Sequence, residues 1–196
     1  DIAFVIMLAG PGIPTYELLA EQVYLLAKAD GAPEESLISK LESDRVLYKK
    51  IGELPLDVEV GDEIKSLIKN TLKLSGVKNE ILLEQNLKLA LNAFDTPWFR
   101  KFLSYNPQDY LKKLTSPILS LNGSLDLQVA AKSNLKGIRD ALTSVNHKDF
   151  TVMELKGLNH LFQQAKTGSP SEYYEIEETI SPRILAVMSK WLDKRF

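Results

Sequence analysis

Residues 118–155 constrain the fold more than any other stretch of this chain. Ile118 to Asn122 is a short apolar run just after Pro117, and Phe150 to Leu155 is a second one, ending before Gly157. Between them, "VAAKSNLKGIRDALTSV" repeats Ala131, Leu135, Ile138 and Leu142 at helical spacing. Strand, helix and strand in so short a span make a βαβ unit, which requires two parallel strands and a right-handed crossover. Strands of that kind are covered on both faces and read as continuous apolar runs. Ile2 to Ala9, closed by Gly10-Pro11-Gly12, has the same character. The expected class is α/β, with about three parallel strands and flanking helices.

The long middle has a different period. Leu18, Leu19, Gln22, Leu25 and Leu26, then Leu37, Leu41 and Leu47, then Ile64, Leu67, Ile68 and Leu72 recur as helix faces do. Ile81 to Ala93 continues the pattern, and the aromatic segment "TPWFRKFLSYNP" follows. Pro14, Pro33, Pro55 and Pro97 divide the region as prolines at helix starts would. No fixed repeat length links the segments, so this is not a solenoid. The organisation expected is a core strand and loop over 1–13, a helical insertion over 14–112, and a core βαβ unit with its terminal helix over 113–196. That last helix, Pro182 to Lys194, has Ser181 as its N-cap candidate.

Composition removes several functions. The net charge is −2, and lysines alternate with glutamates, so nothing here attracts nucleic acid or an anionic membrane. No apolar stretch reaches the roughly 20 residues of a membrane span. The chain has no cysteine, which removes disulfides, thiolate nucleophiles and zinc–thiolate sites. Its two histidines, His147 and His160, lack the spacing of a metal pair. His147, in the polar turn "SVNHKD", reads as a surface histidine. Neither a metal nor an organic cofactor is called for.

Ligands of parallel sheets bind where the strands end. "AGPG", "NGSLDLQV" and "KGLNH" follow the three strand candidates. Gly123 permits a sharp exit before Asp126, and Gly157 does the same before His160. An acid and an imidazole delivered from adjacent strand ends are placed to meet. The carboxylate then accepts the ring N–H, fixes the tautomer, and stabilises the imidazolium formed when the other nitrogen takes a proton.

"LNGSLDLQV", with "GLNH" following so that histidine comes 34 positions after aspartate, resembles the C-terminal half of the α/β-hydrolase fold. "MLAGPG", "PWFRKFLSYNP" and "LFQQAKTGSPSEYYEIEETISP" resemble a bacterial group of serine esterase-like α/β-hydrolases with a helical cap. The resemblance implies a Ser–Asp–His triad with Asp126 as acid and His160 as base. The aromatic segment around Trp98 would return from cap to core. Trp98, Phe99, Tyr105 and Phe162 are candidate apolar walls for a small ester or acyl substrate.

The nucleophile is missing. That family places its serine in a G-x-S-x-G elbow between strand and helix. Ser75, Ser124 and Ser169 have neither those glycines nor that context. By that family's pattern the elbow and its helix are expected just upstream of Asp1; the chain enters its first apolar run after one residue, and with no basic segment before it that run does not read as a signal peptide. Any targeting signal would lie upstream too, which leaves the compartment open. Losing a nucleophilic serine costs on the order of 10⁶ in kcat, or roughly 8 kcal/mol, so the chain alone is expected to be inactive. An unpaired first strand would seek an upstream segment or self-associate through its edge. The alternative is a non-catalytic interaction module built on the same scaffold.

Overall fold

The computed structural model describes residues 2–195. The chain separates into two compact units, one comprising the sequence up to Ile13 together with everything from Pro107 onward, the other Pro14–Asn106.

The first unit is built on a three-stranded parallel sheet. Its strands are β1 (Val5–Leu8), β2 (Ile118–Gly123) and β3 (Phe150–Leu155), in the order β1-β2-β3. Val5 pairs with Ile118 and Ile118 with Phe150, so the strands run in step to one common edge. All six residues of β2 are buried, as a central parallel strand requires, whereas β1 and β3 are only partly covered. Alternation along the strands sorts the core into two layers. Ile118, Val5, Met7, Phe150 and Val152 pack with Ile138, Ala141 and Leu142 of helix α7 (Ala131–Ser144). Leu119, Leu121, Phe4 and Ile6 pack with Ile184, Val187, Met188 and Trp191 of helix α8 (Pro182–Leu192). Ser181 caps α8 by accepting from the Arg183 N–H.

A short helix, α6 (Gln108–Leu111), precedes β2 and belongs to this unit, because Leu111 joins the α7 layer. The helical insertion therefore ends at Asn106, not at 112. The two stretches share one periodicity, and only the partner of Leu111 separates them. Gly12 and Gly137 allow the loop after β1 to cross α7 closely. A Cβ on Gly12 would stand 2.8 Å from the Asn134 carbonyl carbon. The buried Asn134 side chain instead accepts from the Gly12 N–H at 2.9 Å.

The second unit is entirely helical among its described elements: α1 (Thr15–Ala29), α2 (Glu34–Glu53), α3 (Asp62–Leu74), α4 (Glu80–Phe94) and α5 (Pro97–Leu103). Leu47, Tyr48, Ile51, Ile64, Ile68, Leu87 and Leu103 form its core. Asn79 and Thr96 cap α4 and α5 by accepting from the N–H groups of Leu82 and Phe99. Pro14, Pro33 and Pro97 stand at helix starts as expected, but Pro55 does not. It lies in the loop after α2, where buried Arg100 donates to the Pro55 and Val58 carbonyls, each at 2.7 Å. Among the described residues no helix is long and apolar enough to cross a membrane.

Candidate functional site

Asp126 and His160 meet at the C-terminal edge of the sheet. Asp126 Oδ2 lies 2.9 Å from His160 Nδ1. The Asp126 side chain is fully buried, while 28% of the histidine side chain remains exposed. The opposite oxygen, Oδ1, accepts from the Gln128 and Val129 N–H groups, both at 2.8 Å. Two backbone donors thus aim the carboxylate, leaving Oδ2 for the ring. With Nδ1–H donating to aspartate, Nε2 of the neutral imidazole is the acceptor.

The loops carrying the pair are knitted together. Gly123 ends β2 without a positive φ; its role is space rather than backbone freedom. A Cβ there would lie 2.7 Å from the Asn159 carbonyl oxygen and closer still to that of Leu158. Leu125 N–H donates to the Leu158 carbonyl at 2.9 Å, and Gly157 N–H to Ser124 Oγ at 2.8 Å. Gly157 itself has φ +80°, the left-handed turn that redirects β3 into the histidine loop.

Several residues that position the pair carry no motif. Asn159 and Gln163 are buried and bridge the histidine loop. Asn159 Nδ2 donates to Gln163 Oε1 at 2.8 Å, and Gln163 N–H to Asn159 Oδ1 at 2.9 Å. Gln163 Nε2 donates onward to the Glu178 carbonyl at 3.0 Å. Asn122 Nδ2 donates to the Val129 carbonyl at 2.6 Å, holding the far side of the acid loop. Tyr173 accepts from Gln128 Nε2 at 2.8 Å. Burial, together with the Asp126 carboxylate, raises its phenol above the ordinary value. The one sequence signal for this network is the density of amides in "NHLFQQ".

The four aromatic candidates fall in two units. Phe162 is 4% exposed and packed in the core with Leu158 and Ile184. Its backbone holds φ +59°, rare for a bulky residue. The Phe162 carbonyl fixes it by accepting from the Ser181 N–H at 2.8 Å. The other three belong to the helical unit. Phe99 is half-buried and stacks on Phe94 with ring centroids 5.2 Å apart. Trp98 is 72% exposed and stacks on Phe102. Tyr105 lines a cleft of about 290 Å³ with Tyr16, Lys49 and Glu53.

His147 is half-buried rather than exposed. Its Nδ1 accepts from the Asp149 N–H at 3.3 Å, its ring meets Phe150 edge-on, and Nε2 is shut off from solvent. The turn between α7 and β3 folds the ring inward to serve as acceptor. Among the described residues no group of three or more His, Asp or Glu could hold a metal ion.

Comparison of the chain with protein-family models, with curated proteins and with solved structures gives no match. The site therefore stands on its geometry.

Proposed function

We propose that Asp126 and His160 are the acid and base of a serine hydrolase acting on carboxylic esters. The core would be that of an α/β-hydrolase, the helical unit its cap, and the nucleophilic serine would come from a segment outside these 196 residues. The observation that carries the reading is the carboxylate–imidazole pair. One oxygen is fixed by two backbone N–H groups, the other is 2.9 Å from Nδ1, and the ring is part-exposed at the rim of a parallel sheet.

In this chemistry Nε2 accepts the serine proton as the oxygen bonds to the acyl carbon. The same proton then passes to the leaving alkoxide as the ester C–O bond breaks. Water repeats the sequence on the acyl-enzyme, releasing the acid and restoring the serine. Asp126 holds the tautomer and offsets the charge on the imidazolium. Peptidases and acyltransferases use the same groups, so the acyl acceptor is set by the rest of the site.

The test uses the protein together with its upstream segment and a fluorophosphonate probe. Wild type is expected to be labelled on serine, His160→Ala to be unlabelled, and Asp126→Asn to react about 10⁴-fold more slowly. Absent labelling, or labelling indifferent to His160→Ala, refutes the hydrolase and favours the non-catalytic module.

A further inference from the structure

A groove of about 500 Å³ runs between α8 and the outer strand β3. It shares no residue with the Asp126–His160 pair, and nothing in the proposed chemistry uses it. Thr151 and Met153 of β3 form one side, and Val187 and Trp191 of α8 form the floor. Trp191 is anchored there, its Nε1 donating to Thr151 Oγ1 at 3.1 Å. The rim is cationic: Lys190 and Lys194 line it, and among the described residues no carboxylate does.

The charges on the rim are not equivalent. Arg195 also lines the groove, but its guanidinium is committed to Asp149 through two hydrogen bonds, at 2.6 and 2.9 Å, and lies 4.1 Å above the Trp191 ring. The fork that would grip a phosphate bidentately is therefore taken. Lys190 and Lys194 have no ion-pair partner among the described residues. Lys190 lies in the last turn of α8 and Lys194 in the turn just past its end, and both face the same groove, so two like charges stand at one margin. A single anion between them relieves their repulsion.

We propose that this groove binds the anion of a free fatty acid, its carboxylate between Lys190 and Lys194 and its acyl chain along Met153, Val187 and Trp191. The volume falls within the range of small-molecule sites. An apolar floor with two point charges at one margin suits a monoanionic amphiphile better than a polyanion. Because the groove opens to solvent, about half the surface of the chain would be covered. Full burial of a methylene is worth about fourfold in affinity, so half burial gives about twofold per methylene.

The experiment titrates the Trp98→Phe variant, in which Trp191 is the remaining tryptophan of the two. Laurate is added below its micelle concentration and Trp191 emission is followed. A saturable change is expected, weakening about twofold for each carbon removed from the chain and at least tenfold in Lys190→Glu/Lys194→Glu. Because both lysines are exposed, circular dichroism of the double variant should match that of the parent. No saturable change, equal binding of dodecyltrimethylammonium, or equal laurate binding by the charge-reversed variant would overturn the proposal. Binding to anionic vesicles but not to monomeric laurate would overturn it as well. None of these outcomes bears on the fluorophosphonate test, so the two proposals fail separately.

Discussion

Substituting Gly123 by alanine tests whether the acid and base loops are held by a close crossing of backbones. The added Cβ would stand 2.7 Å from the Asn159 carbonyl oxygen and from the Leu158 carbonyl carbon, against about 3.4 Å for ordinary contact. One backbone must retreat by at least 0.7 Å (3.4 minus 2.7), and neither neighbour is a flexible side-chain end. The histidine loop is the part that can yield, since β2 is buried along its whole length and paired on both sides. A retreat of that size takes the 2.9 Å Asp126–His160 bond past hydrogen-bonding reach. Overpacking of this kind costs about 1–3 kcal/mol, or roughly 2–4 °C of Tm per kcal/mol in a chain of this size. The assay pairs thermal unfolding, followed at Trp191, with the proton spectrum of the imidazole, where a hydrogen-bonded Nδ1–H resonates far downfield and exchanges slowly. Gly123→Ala should lower Tm and erase that resonance. An alanine variant that keeps both would refute the crossing as the reason for glycine.

Asp44 and Arg100 give two further tests. Asp44, in α2, is 1% exposed; burial raises its carboxyl above the usual 3.8, only partly offset by Lys40 and Thr71. A raised acid favours folding while protonated and loses that contribution as pH climbs through its folded value. Asp44→Asn should therefore gain on wild type as pH is taken upward from 3.8, whatever constant offset follows from losing Lys40; a Tm difference that is flat with pH rules this out. Arg100→Met strips donors from the Pro55 and Val58 carbonyls and from Asp95, and should cost about 3 kcal/mol in urea unfolding followed by helical circular dichroism. A loss under 1 kcal/mol would mean that water satisfies the loop as well as Arg100 does.

What was legible in the sequence follows from what leaves a periodic trace. β3 begins and ends at the residues its apolar run marks, and Ser181-Pro182 opens the last helix because an N-cap followed by proline is a local instruction. Asp126 and His160 were visible because each follows a strand and a glycine. β1 is shorter than its run, Val5–Leu8 rather than Ile2–Ala9, since β2 offers its paired register only from Ile118. Asn159, Gln163 and Asn122 left no trace, because an amide that bridges two loops answers to neighbours distant in the chain. The buried Asp44 and Arg100 were hidden likewise, as ordinary charges on helices that otherwise look solvated.

The bond from Ser181 N–H to the Phe162 carbonyl has a consequence for biosynthesis. It ties the turn beside His160 to the N-cap of α8, so this restraint forms only when that helix docks. The loop beside His160 therefore gains one of its restraints only after the segment that follows it in the chain has been made.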